Sequence, residues 1–585
     1  RISREELYSR EEPWRDLGDE HSLSKPWKYH QGIIHNGKYR YCLPAGLGFD
    51  YRVRVVGKGK SSSPWSAVKS GRVTDYPLPH GLKLWVASGM EKIFLDTPVP
   101  ENPRRTIDLY SARNEYEAAQ VVIRTGMEDV ANLTVRVTVQ RNGNGQYFPL
   151  SNIELMKVHY VKLSTVKRLY YGVYQDPPKE KMYPDALPLL KVNNAFDVPA
   201  DRNQPIYFRI RVGSNVAPGD YFGSLWVAKD GVLVARVPFR IEVGNFTLPV
   251  ATSCRTLFGM RQDQFELKHG FSHETPEALV LYEKYREELL RHRVSTYYVS
   301  QMPPTSQDSD GWKTRLQDER VNSCVGGAFT YIEAANLGLS DKCYFYPLDE
   351  PTEPYELDRL AVRAKYIISK YGLTLPPKII TPFNKILSPS IFEKMKGLTR
   401  AWCPNTHTYN FHLSVKTAME DRQKEGDELW WYVACGPTGN YCNFQINMEA
   451  VRPRLLIWQN FLYKIPGLLY YNVTGWGQTE DPWTNMATWI SKAGDISYGD
   501  GSLFYPGTPK RIGGTEHRPV TSLRLENLRD GLEDYEYFTA LARQQGREAA
   551  LALIGEVVTS LTEYSKNPGK IERVRREVGR QLKGE

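Results

Sequence analysis

Between about residue 80 and residue 250, apolar and polar positions alternate with a period of two. The clearest runs are Ala118-Ala119-Gln120-Val121-Val122-Ile123, Leu133-Thr134-Val135-Arg136-Val137-Thr138-Val139 and Tyr207-Phe208-Arg209-Ile210-Arg211-Val212. Successive side chains of a strand point to opposite faces, so this rhythm predicts half-buried strands. Asp230-Gly231 between two such runs predicts a tight hairpin. Many short strands with no helical period between them predict a β-sandwich over residues 79–249, with its last strand ending at Val243 and Asn245-Phe246-Thr247-Leu248-Pro249 as a linker.

After the linker the pattern switches to short apolar runs separated by helical periods. Thr275-Pro276-Glu277 reads as a capped helix start with proline in its first turn, and Leu279, Tyr282, the stem of Arg286 and Leu289 as its inner face. Strands are expected at residues 254–260, 295–299, 342–348, 378–382, 400–404, 429–435 and 468–473. An eighth between residues 300 and 341 would close a (β/α)8 TIM-like barrel over residues 250–545; the alternative is an open parallel sheet. Residues 546–585 read as a helical tail. Residues 1–78 are polar and irregular up to Tyr51-Arg52-Val53-Arg54-Val55-Val56 and the turn-rich Gly57 to Ser66, which resembles the last two strands of a fibronectin type III module.

Composition narrows the choice. A 585-residue chain with 41% hydrophobic residues exceeds one core, so several domains are expected. The net charge of +9 is spread without a Lys/Arg block and leaves no footprint for nucleic acid. The absence of any run of 18 apolar residues predicts a soluble chain without a transmembrane segment, and a start at Arg1 fits a processed or truncated product. Seven cysteines (42, 254, 324, 343, 403, 435, 442) show neither a CxxC pair nor metal spacing and read as buried thiols, with Cys435 and Cys442 close enough in sequence for a local disulfide. Sequons at Asn132, Asn245 and Asn472 permit glycosylation in a secreted or lumenal protein.

The candidate chemistry sits in Tyr344-Phe345-Tyr346-Pro347-Leu348-Asp349-Glu350-Pro351, an aromatic strand that ends in two carboxylates. The same dipeptide at residues 19–20, 318–319 and 427–428 lies in polar surroundings; only Asp349-Glu350 closes an apolar run. Charges at the exit of a buried strand need a partner or a task. The competing reading is a solvated strand end or a cap for a helix opened by Pro351-Thr352-Glu353-Pro354. Barrel sites collect at strand C-termini, and there the sequence places Tyr298, Asn405, His407, Tyr471 and Trp476, polar and aromatic groups suited to a sugar. Taken singly, His407 reads equally as an ordinary loop histidine and Trp476 as a cover for the barrel mouth.

Together, Tyr346 to Pro351, Leu429-Trp430-Trp431-Tyr432-Val433, Gly467 to Asn472, Asp481-Pro482-Trp483, Gly499-Asp500-Gly501 and Leu523 to Tyr537 resemble glycoside hydrolase family 123, the β-N-acetylgalactosaminidases. The resemblance implies an exo-acting, cofactor- and metal-free hydrolase that removes terminal β-linked N-acetylgalactosamine from glycans or glycolipids. It implies Glu350 as general acid/base and Asp349 as its partner in substrate-assisted retention, with the Leu523 to Tyr537 stretch as a bracing helix. Two other readings stand beside it: a glycan-binding or matrix protein with an inactive barrel, and a two-carboxylate glycosidase pairing Glu350 with a distant acid such as Asp481 or Asp500. The short stretch from Gln301 to Asp341 and the fibronectin-like start depart from the family pattern.

Overall fold

A computed structural model of the chain describes four short strands before residue 73, and residues 78–583 apart from 143, 165–180, 192–193, 273–274, 299–308, 374–375, 385–388 and 493. The early strands form two antiparallel pairs, Gly32–His35 with Lys38–Tyr41 and Gly48–Tyr51 with Lys69–Arg72. The rest of the fibronectin-like segment, residues 52–68, lies outside the described residues.

The alternating region folds into two sheets. One has the order Phe196–Val198, Val130–Gln140, Gly219–Lys229, Val232–Thr247, Ile107–Arg113; the other has Lys83–Ser88, Glu115–Arg124, Asn203–Val212, Ile153–Lys157. Val121, Ile123, Ile206 and Phe208 of one and Leu225, Val227, Phe239 and Ile241 of the other share one core. The hairpin forms at Asp230 and Gly231, whose φ angles of 50° and 77° match the twist of the flanking strands. The following strand does not stop at Val243: it runs to Thr247, because its parallel pairing with Ile107–Arg113 resumes at Thr247 and Arg113 after a register shift.

Next comes a parallel sheet of order Arg255–Phe258, Gly467–Tyr470, Glu428–Tyr432, Ala401–Pro404, Pro382–Phe383, curled into a half-barrel. Pairing continues from both edges. Phe258 bridges Thr296, the Val325 N–H donates to the Tyr297 carbonyl at 2.6 Å, Cys324–Val325 pairs with Cys343–Tyr344, and Phe345 bridges Ile379. Cys324–Val325 is the extra strand sought between residues 300 and 341. At two residues it is too short to show any period. Leu257, Val325, Tyr344, Ile380, Cys403, Trp430, Tyr432 and Leu469, one or two from nearly every segment, form the enclosed core. Gly467 is required under Trp430, since a Cβ there would lie 2.0 Å from the indole.

Helix Pro276–Arg291 starts as expected, with the Thr275 side chain accepting from the Ala278 N–H at 3.3 Å. Its inner stripe is Ala278, Leu281, Tyr282, Tyr285 and Leu289; Leu279 is 46% exposed, because the wider 278/281/282/285/289 stripe decides which face turns inward. Helix Leu523–Gln545 buries almost every charge it carries. Arg524 pairs with Asp185 at 2.8 Å, Glu526 with Arg209 at 2.5 Å, Glu533 with Arg293 at 3.0 Å and Asp534 with Arg454 at 2.6 Å. Asp185 and Arg209 belong to the sheet-rich part, so the helix braces both parts of the molecule. Helix Pro568–Lys583 adds Arg575, which reaches Asp534 at 3.1 Å and Glu117 at 2.9 Å. No described helix is long and apolar enough to cross a membrane.

Candidate active site

The strand containing Tyr344 ends with the bridge at Phe345, and the chain then bends so that Asp349 and Glu350 are both exposed. Each is held by a tyrosine from the enclosed core or its upper edge. The Tyr346 hydroxyl donates to Asp349 Oδ1 at 2.9 Å, and the Tyr432 hydroxyl, from the strand Glu428–Tyr432, donates to Glu350 Oε1. A following proline such as Pro351 favours an extended predecessor. Instead Glu350 has a φ of 38°. A β-carbon strains this region and a following proline already restricts its predecessor, so the surrounding structure must hold the conformation in place. Neighbouring residues of an extended strand face opposite sides, and leaving the strand lifts that constraint from the two exposed carboxylates.

The capping role proposed for this pair is filled by other acids. Helix Pro354–Tyr371 opens with a capping box between Glu353 and Glu356, and Glu356 Oε2 accepts from the Thr352 and Glu353 N–H groups at 2.8 and 3.0 Å. Asp349 and Glu350 take no part in that cap.

The remaining candidates divide. Tyr298 is half-buried at the end of its segment, with its carbonyl accepting from the Tyr282 hydroxyl at 3.3 Å. Asn405 is buried: its Oδ1 caps helix Thr406–Phe411 by accepting from the His407 N–H at 3.0 Å, and its amide donates to the Gly436 carbonyl at 3.2 Å. Asn405 bridges Tyr432, so the cap holds the strand end beside Glu350's partner. His407 is exposed and stacked on Phe411, with centroids 5.2 Å apart and planes 16° from parallel. Tyr471 is 37% exposed and donates to Asp500 Oδ2 at 3.0 Å.

Trp476 is a correction. It is fully buried, donates to the Phe504 carbonyl at 2.9 Å, and packs against Phe265, His269 and Tyr285. It lies inside the packed core and not on the rim. Trp476→Ala is therefore expected to cost about 3–5 kcal/mol of stability in denaturant unfolding, as large aromatic truncations do.

His269 in the same cluster lies between the Tyr285 hydroxyl and His517, each at 2.9 Å. Burial, then the neighbouring His517, pushes its pKa down to about 3. Its folded value is below the roughly 6.5 of an unfolded histidine, so the stability it confers is present above that pH and is lost as pH falls toward 3. Unfolding free energy should thus drop by roughly 1 kcal/mol per pH unit across this window relative to His269→Gln, whose amide does not titrate. Identical pH slopes for the two proteins would show that His269 titrates normally.

Sequence reasoning missed Tyr432 and Tyr346 as the partners of the pair, although Tyr346 stands three residues before Asp349. It named Asp500 only as a distant second acid and missed the two tyrosines that hold it. That residue is buried between two glycines, with Tyr470 and Tyr471 donating to its oxygens at 3.2 and 3.0 Å. Glycines fit that turn, since Gly499 and Gly501 have φ of 78° and 67°. Among the sequons, Asn132 and Asn245 are exposed, whereas Asn472 is buried with its Oδ1 accepting from the Thr474 N–H at 3.1 Å. Cys435 and Cys442 are free thiols.

The glycoside hydrolase 123 catalytic domain matches residues 386–541, and the glycoside hydrolase 123 N-terminal domain matches residues 95–229. Asp349 and Glu350 lie between these two spans. Among solved structures, a family 123 glycoside hydrolase from Clostridium perfringens, described in terms of glycolipid glycan hydrolysis, aligns over 86% of this chain and 97% of its own, at 13% identity and a TM-score of 0.61. A family 39 glycoside hydrolase from Bacteroides cellulosilyticus WH2 aligns over 72% of this chain and 81% of its own, at 10% identity and a TM-score of 0.27. No curated protein matches the sequence. With both domain models of one family in chain order and a solved member of that family sharing the fold over most of the length, the chain belongs to glycoside hydrolase family 123.

Proposed function

We propose that this glycoside hydrolase is exo-acting and removes terminal β-linked N-acetylgalactosamine from glycans or glycolipids, with retention, through an oxazolinium intermediate. The observation that carries the reading is the adjacent pair itself, two carboxylates on one reversed turn, each anchored by a tyrosine. A conventional retaining enzyme sets its second carboxylate across the sugar, roughly 5 Å from the first. Neighbours on one turn do not straddle a ring. They suit a reaction in which the substrate's 2-acetamido oxygen attacks C1. Glu350 then protonates the departing glycosidic oxygen and later deprotonates the water. Asp349 accepts the acetamido N–H and stabilises the positive charge that develops on the cyclising group.

The two acids that would serve a conventional mechanism are otherwise engaged. Asp500 is buried under Tyr470 and Tyr471. Asp481 pairs with Arg511 at 2.5 Å and accepts from the Trp483 N–H at 3.1 Å. Tyr471 offers an exposed ring for the apolar face of a galacto-configured sugar. The eight parallel segments, alternating with helices, support reading the catalytic part as a (β/α)8 barrel with the pair at the C-terminal ends of its strands. A relative studied for glycolipid glycan hydrolysis supports the substrate class, and the exposed Asn132 and Asn245 sequons fit a secreted or lumenal setting.

A panel of aryl N-acetylhexosaminides tests the proposal. Release of the aryl group from the β-N-acetylgalactosaminide, faster than from the gluco epimer, is the expected outcome. Binding of the same sugars with no turnover would favour the glycan-binding reading.

A further inference from the structure

We propose that Asp500 is a positioning residue, which fixes the ring of Tyr471 at the rim as a stacking platform for the sugar. The inference rests on the glycosidase reading and adds a residue to it. Asp500 is 1% exposed and its two oxygens accept one phenol each, from Tyr470 at 3.2 Å and Tyr471 at 3.0 Å. Tyr470 is also fixed from its other side, where its oxygen accepts from the Gly501 N–H at 2.7 Å. Tyr471 has the opposite character, with 37% of its surface exposed at the end of the strand Gly467–Tyr470. Its phenol end is wedged against the backbone of Gly501, where a Cβ would meet the hydroxyl at 2.3 Å. The turn that presents Asp500 is held by the Thr488 hydroxyl, which donates to the Asp500 carbonyl at 2.7 Å. A partly exposed ring fixed at its polar end is what a sugar-stacking surface needs, because a free ring would lose rotamer entropy on binding.

Asp500 and Glu350 both act on one thiol. Cys435, at the end of the neighbouring strand, has its thiol pushed up by burial and by the charges of Asp500 and Glu350. The groups facing the Asp500 carboxyl are the Tyr470 and Tyr471 phenols, the Gly501 N–H, the Cys435 thiol and Arg524, which is itself paired to Asp185. Burial, against the hydrogen bonds of Tyr471 and Tyr470, pushes its pKa up to about 7. Ionised, it accepts from both phenols as a charged acceptor; protonated, it is a weaker acceptor and carries a proton of its own beside them. The platform is accordingly firmest above pH 7.

The test is calorimetric binding of N-acetylgalactosamine in a Glu350→Gln background, where no turnover occurs. Kd should fall several-fold as pH rises from 6 to 8. Asp500→Asn, an imitation of the protonated form, should raise Kd about two- to tenfold at pH 8 and abolish the pH dependence, since a ring freed of that bond must be ordered when the sugar binds. Tyr471→Phe keeps the ring and removes only the bond, and should reproduce the effect without adding to it in the double variant. With Glu350 restored, Asp500→Asn should raise KM by a similar factor and change kcat far less. Unchanged affinity and an unchanged pH profile in Tyr471→Phe would overturn the assignment of Asp500 while leaving the glycosidase reading intact. Failure of the Glu350→Gln protein itself to bind N-acetylgalactosamine at any pH would overturn both.

Discussion

Glu350→Gln should lose about 10²- to 10⁴-fold in kcat/KM on natural glycans and far less on a nitrophenyl glycoside, whose leaving group departs without a proton. The amide keeps the size of the side chain and still accepts from Tyr432, so the turn should survive. What goes is the proton donor. Asp349→Asn should behave differently: it retains the Tyr346 contact but not the charge facing the oxazolinium, so its loss should be similar on good and poor leaving groups. Measuring both variants on a nitrophenyl glycoside and on an oligosaccharide separates the roles. Equal, leaving-group-independent losses would remove the acid role from Glu350, and near wild-type rates in either variant would remove that residue from the mechanism.

The second large effect is on stability. Glu526 is buried where burial alone would raise its pKa, but Arg209, Arg529 and His292 outweigh that and hold the carboxyl well below the usual range. Glu526→Gln removes the carboxylate that two buried guanidinium groups share, leaving Arg209 with Glu154 and Arg529 with Asp530 and Glu533, and taking one partner from such a buried network costs up to about 3–5 kcal/mol. Arg209 lies in the sheet-rich part, and Glu526 in the closing helix that packs on the catalytic part. The variant should therefore unfold at much lower denaturant concentration, and the two parts should come apart in separate transitions. A single transition with an unchanged midpoint would show that the brace contributes little.

Much of the architecture was legible because periodicity reports burial. The Asp230-Gly231 hairpin, the Thr275 cap and most catalytic strands follow from residue types acting locally. What local pattern hides is whatever distant chain decides. Trp476 follows a strand and looks like a rim residue, yet Phe265 and Tyr285 from other elements cover it. Asn405 was expected to meet the sugar and instead caps a helix, a use that asparagine at a strand-to-helix junction signals in advance. The carboxylate pair was visible as charge at the end of an apolar run. Its geometry was not, since proline favours an extended predecessor and only the surrounding fold enforces the positive φ of Glu350.

The central claim, that the substrate's own acetamido group is the nucleophile, is tested most directly by a matched pair of aryl β-galactosides differing only at C2. The account predicts turnover of the 2-acetamido compound and essentially none of the 2-hydroxy compound. A comparable rate on the 2-hydroxy galactoside would contradict it and require a carboxylate nucleophile elsewhere in the site.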